Sequence, residues 1–197
     1  MRVRFLALAL LVVAPSQAAA ERQVKPFIGA TAGGSTTFVD LDHVVGDPKL
    51  AVGVSGMLLG EVLGVEGDLG RTPGFFQAGG PLQLITQSSV TTLTGNVVIA
   101  MPRRLSRYTL RLYFVGGAGM MHVKFDDVSS ALKAATTLPA LDLGGGATGF
   151  LTNEIGLNWD VRHFRSFAGS DRPTGITISP PEQLSFWRAT MGLVIRY

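Results

Sequence analysis

From Trp187 to the end of the chain every second residue is apolar: Trp187, Ala189, Met191, Leu193, Ile195 and Tyr197. The positions between them, Phe186, Arg188, Thr190, Gly192, Val194 and Arg196, are mixed and include two arginines. A two-residue period sends successive side chains to opposite sides of an extended backbone. Leu184–Tyr197 therefore reads as a β-strand with one greasy face and one polar face. It is longer than the usual globular strand of about 5–6 residues and suits a tilted strand that crosses a bilayer in about 9–11. Tyr197 at the end of the greasy face would bury its ring while its hydroxyl stays wet.

The same alternation returns seven times upstream. Val24–Gly34 places Ile28, Ala30 and Ala32 on one face, and Lys49–Leu59 aligns Leu50, Val52, Val54 and Leu58. Val62–Arg71 sets Leu63, Val65 and Leu69 against Glu66 and Asp68. Ser88–Met101, Tyr108–Val123 and the glycine-rich Leu141–Leu151 follow, then Glu154–Arg165 with Leu157 and Trp159 opposite Glu154, Asp160 and Arg162. Eight strands result, joined by connections that alternate long and short. The segments 35–47, 72–87, 124–140 and 166–183 read as long loops, with Val128, Leu132 and Ala135 of the third spaced for one or two turns of helix. The predicted fold is all-β: an eight-stranded, antiparallel, up-and-down transmembrane β-barrel. Its short turns belong on the periplasmic side and its long loops outside, and the even strand count puts both termini on one side.

Composition sharpens this. The chain has 197 residues, no cysteine and 25 glycines. Met1-Arg2-Val3-Arg4, an apolar run from Phe5 to Ala14 and the small residues Ala18–Ala20 read as a signal peptide over residues 1–20, leaving 21–197 as the barrel. Without Arg2 and Arg4 the formal charge of +3 falls to about +1, so charge offers no support for a nucleic-acid partner. No other apolar run is long enough for a spanning helix, and a closed barrel is the remaining structure that satisfies its backbone in lipid.

The inner faces carry Glu66, Asp68, Arg111, Glu154, Asp160, Arg162, Arg188 and Arg196. Isolated charges out of water are costly, so these are expected to pair across the lumen, with Asp160, Arg162 and Arg188 as the favoured group. An eight-stranded barrel is just wide enough for side chains to fill, which argues for an ion-paired lumen over a pore. Leu157, Trp159, Trp187 and Met191 face lipid. Gly144, Gly145 and Gly146 leave room in a crowded interior. His43, His122 and His163 share no metal-ligand spacing, and no cofactor motif is present. His163 and Ser166 are near enough in sequence to raise a hydrolase, but a nucleophile and its base must reach one another. Phe75, Phe76, Leu82, Leu84 and Ile85 make an apolar stretch in the second loop, expected to pack on neighbouring loops.

Three segments resemble the eight-stranded outer-membrane β-barrel family of Gram-negative envelopes, the OmpA-like and OmpX-like porin-fold proteins. They are Leu112–Gly119 (LYFVGGAG), Leu143–Asp160 running on through Val161-Arg162-His163-Phe164, and the terminal strand ending on an aromatic. The family more often has Tyr at the place of His163 and Phe at the place of Tyr197. The resemblance implies an outer-membrane location among lipid and lipopolysaccharide. It also implies an assembly signal in Leu193, Ile195 and Tyr197 that the outer-membrane assembly machinery reads. A monomer with a non-enzymatic structural or surface-interaction role is expected. A ligand-binding barrel (in the membrane or soluble and lipocalin-like), a narrow channel and a lipid A-modifying hydrolase are the alternatives.

Overall fold

The computed structural model describes residues 20–36, 48–75, 85–102, 105, 110–127, 133–167 and 184–197. Eight strands make up its secondary structure: β1 (Glu21–Thr36), β2 (Lys49–Leu59), β3 (Leu63–Pro73), β4 (Ile85–Ala100), β5 (Leu110–Asp127), β6 (Lys133–Phe150), β7 (Ile155–Ser166) and β8 (Leu184–Arg196). Each pairs antiparallel with the next, and β8 returns to β1, so the sheet is a closed barrel without an edge. All but Ala20 of the expected leader, together with His43, Phe76, Leu82 and Leu84, lies outside the described residues.

The ladder is staggered. Following register partners once around, Gln23 leads through Met57, Glu66, Asn96, Gly117, Asp142, Phe164 and Phe186 back to β1 at Gly34. One of the eleven positions gained is the bulge between Ala32 and Gly34, where Gly33 takes a left-handed φ of 56°. The stagger tilts the strands and brings together, at one depth of the lumen, residues that are not register partners.

Facing alternates along every strand. Leu50, Leu69, Leu93, Leu112, Phe114, Met120, Trp159, Val161, Trp187, Met191, Leu193 and Ile195 are all exposed on the outside, an arrangement that suits only an apolar surrounding. Leu157 has the same facing and is half-covered. Trp159 lies midway along β7, whereas Tyr197 stands at the rim, its backbone N–H donating to Arg22 O at 3.1 Å.

Two expectations are corrected. The segment 124–140 is mostly sheet rather than loop or helix. The β5–β6 ladder continues through Lys124↔Ala135 to Asp126↔Lys133, leaving only residues 128–132 between the strands. That connection is shorter than the one between β4 and β5, so long and short connections do not alternate cleanly. Pro139 hid the strand, yet it fits. A strand residue's N–H and C=O point the same way, and Pro139 O accepts from Phe167 N at 3.1 Å, so the missing N–H faces the end of β7, where the ladder runs out. The second correction concerns Glu154. It has the inner facing by parity, but β7 starts at Ile155, and Glu154 is exposed in the turn 151–154, below the rim where no lumen remains to face.

Candidate functional site: the barrel lumen

The interior divides by depth into three zones. At the end carrying the short turns, Glu21, Arg111 and Arg196 meet. Arg111 Nη1 lies 3.4 Å from Glu21 Oε2 and Arg196 Nη1 lies 3.2 Å from Glu21 Oε1. Arg111 also donates to Gly60 O (2.9 Å), Glu61 O (2.6 Å) and Met101 O (3.2 Å), binding two turns to the barrel floor. Arg196 donates to Asn153 O and is 26% exposed at its side chain, a rim residue more than a lumen one. An apolar patch of Met57, Leu59, Val98, Ala100, Tyr113 and Val115 lines the wall above Arg111.

The middle zone is a belt of buried charge organised by Arg162. Its Nε lies 2.6 Å from Asp160 Oδ1. Its Nη1 lies 2.7 Å from Glu66 Oε1, 3.2 Å from Asp142 Oδ2 and 3.8 Å from Asp68 Oδ2. One guanidinium thus touches four carboxylates from β3, β6 and β7, and its planar fork of donors suits that role as an ammonium would not. Lys25 Nζ takes the other oxygen of Glu66 at 2.7 Å and stands 4.9 Å from the centre of the Tyr113 ring. Arg188 Nη2 meets both oxygens of Asp68 at 2.9 Å, its guanidinium lying 4.7 Å from the ring centres of Phe27 and of Phe164. Asn96 and Thr94 donate to Asp142 Oδ2 at 2.9 and 3.1 Å. The Tyr113 hydroxyl lies 2.7 Å from Asp160 Oδ2 and 2.9 Å from Asn158 Oδ1.

Glycine makes the belt possible. A Cβ on Gly70 would occupy the space of the Arg188 guanidinium, and Cβ atoms on Gly144 and Gly146 would meet the backbone carbonyls of Val161 and Trp159 first and then Arg162 and the Tyr113 hydroxyl. Gly145 points the other way, toward the Phe114 ring outside. What space remains among Lys25, Ser55, Asp68, Arg162, Arg188 and Thr190 is a cavity of about 10 Å³, about the least that holds one water.

Toward the opposite end the chemistry reverses. Phe75, Val90, Met121, Val123, Leu138, Ala140, Phe164, Leu184 and Phe186 form one buried apolar cluster. Phe186 sits at its centre, its ring 5.0 Å from Phe75 edge-on and 5.3 Å from Phe164 stacked. Phe75 thus packs into the lumen from just beyond β3.

Of the charges assigned to the interior from sequence, Glu66, Asp68, Asp160, Arg162 and Arg188 come together in the belt, while Arg111 and Arg196 belong to the floor. Arg188 is the register partner of Arg162 but binds Asp68 across the lumen instead of Asp160. Glu21, Lys25 and Asp142 were missed. Lys25 and Asp142 carry the inner parity of their strands, and parity alone would have found them. His163 and Ser166 face opposite ways. The His163 ring lies outside, 4.7 Å from that of Trp187, whereas Ser166 is buried and accepts from Leu184 N at 2.7 Å. They cannot form a nucleophile–base pair. Among the described residues no group of His, Asp and Glu is placed to hold a metal ion.

Residues 5–179 match the model of the outer membrane protein beta-barrel domain, a match that stops short of β8 although β8 closes the ring. No curated protein matches the chain. Solved structures similar to it include Neisserial surface protein A at 10% identity and a TM-score of 0.64, over 90% of this chain and 97% of that one. A major outer membrane protein from Thermus thermophilus aligns at 13% identity and a TM-score of 0.58, over 91% and 100%. OprG from Pseudomonas aeruginosa aligns at 14% identity and a TM-score of 0.55, over 91% and 96%. At such identities the likeness is one of fold.

Proposed function

Because the chain belongs to the outer membrane protein β-barrel domain family, and so resides in the outer membrane, we propose that it works there as a closed, non-enzymatic barrel. Its role is structural and surface-interacting: the sheet anchors in lipid and the connections at the Phe75 end meet the exterior. The observation that supports this most is the filled lumen. A charged belt and an apolar plug lie in series, and the space left inside the belt suits a water but no solute. Ion passage would require both to open. The separation of His163 from Ser166 also supports a non-catalytic reading. In the same reading the outward line of Leu193, Ile195 and Tyr197 at the end of β8 is what the assembly machinery engages, and the barrel acts as a monomer.

Planar-bilayer recording tests this directly. Protein that migrates in a heat-modifiable way, and is therefore folded, is expected to show no discrete conductance steps, and neither is Phe186→Ala, because the belt remains behind the plug. Regular steps in the wild-type protein would overturn the proposal.

A further inference from the structure

The outer face of the barrel is not uniform where the apolar surface ends. On β3–β6 the register aligns Leu69, Leu93, Met120 and Pro139 in one outward row. The next row toward the Phe75 end is Arg71, Thr91, His122 and Thr137, every member polar. Lys124 stands one row further out, exposed like Arg71. His122 Nδ1 and Thr137 Oγ1 share a hydrogen bond of 2.8 Å, which orients the ring, and Nε2 has no partner among the described residues. Arg71 and Lys124 likewise have no ion-pair partner among the described residues. Around the ring at a similar level the surface is different: the His163 ring packs against Trp187, and the outward cation Arg165 has Leu141 and Ser185 as register partners.

We propose that the arc of Arg71, Thr91, His122, Thr137 and Lys124 is a binding site for the phosphorylated headgroup of a glycolipid in the outer leaflet. The inference rests on the membrane-spanning reading above. A side chain in this row cannot turn to the lumen without reversing the strand's pleat, so its partners lie in the surrounding leaflet. The two cations Arg71 and Lys124 select an anion, while Asp126, two residues beyond Lys124 with the same parity on β5, has Lys133 as its register partner. Hydroxyls and an imidazole interleaved with the two cations suit a headgroup that also bears sugar hydroxyls spread over several ångströms, more than the short headgroup of a simple phospholipid presents. Neighbouring members of the row are about 4.8 Å apart from strand to strand, so the arc across β3–β6 spans about 14 Å, the scale of a disaccharide headgroup rather than a single phosphate.

The test uses the full folded chain in detergent, with native mass spectrometry to titrate bis-phosphorylated lipid A. Dephosphorylated lipid A and phosphatidylglycerol are the comparison probes. Heat-modifiable migration is scored first on every variant, and its absence from the wild-type protein would count against the barrel reading, separately from this site. Replacing Arg71→Gln and Lys124→Gln together is expected to weaken lipid A binding about thirtyfold, about fivefold for each cation, while Arg22→Gln on the outer face at the other rim leaves it unchanged. Dephosphorylated lipid A should bind the wild-type and double-variant proteins equally. The proposal is overturned if the double variant binds lipid A as the wild type does, if Arg22→Gln weakens binding as much, or if phosphatidylglycerol binds as tightly as lipid A.

Discussion

The belt around Arg162 and the plug around Phe186 lie one above the other in the same lumen, on strands of the same inward parity, yet they are built from opposite chemistry. In the belt, four carboxylates share Arg162, Lys25 and Arg188; in the plug, aromatic and aliphatic side chains pack without a charge. Phe164 and Arg162 show the change within two residues of β7, where the Phe164 ring is both a member of the plug and a face for the Arg188 guanidinium. The comparison teaches that pleat parity decides only inside against outside. What an inside residue must be is set by its depth and by what the other strands bring to that depth.

The two zones should also fail differently. Arg162→Ala is expected to cost the most, about 5 kcal/mol, because removing one member of a buried ion pair leaves its partner uncompensated, and here four carboxylates lose the same partner. Urea titration of refolding into lipid vesicles would measure it. A loss smaller than that of a plug substitution would show that Arg162 is not what organises the interior. Phe186→Ala in the plug should cost about 3–4 kcal/mol by cavity formation, with the belt distances intact. Outside both zones, Met191→Arg on the lipid face should cost about 3 kcal/mol, a value near zero being incompatible with Met191 lying in hydrocarbon. The smallest effect, about 2 kcal/mol, is expected for Arg188→Lys, which keeps the charge but loses the two-oxygen grip on Asp68 and the flat faces against Phe27 and Phe164. If Arg188→Lys were as damaging as Arg162→Ala, the belt would have two centres instead of one.

Much of this molecule is visible in its residue order. The alternation in β8, with Trp187, Met191, Leu193 and Ile195 against Arg188, is a property of a single strand, and pleating turns it into outside and inside without reference to any other segment. Eight such strands with turn residues between them leave a closed barrel as the arrangement in which no greasy face meets water and no backbone edge is left open. Local reading failed where neighbours decide. Lys133–Ala140 carries a proline and looked like loop, but β5 was there to pair with it. Glu154 kept its parity and lost its lumen because β7 begins one residue after it.

What pairs with what was beyond the reach of the residue order. The partnership of Arg188 with Asp68, 120 positions apart, depends on a stagger that accumulates around the whole ring, and no single strand carries that information. The pleat is a short-range consequence of backbone geometry, so the chain alone dictates which way each side chain looks. Depth in the barrel is a sum over eight ladders, so only the closed sheet decides which of those side chains meet.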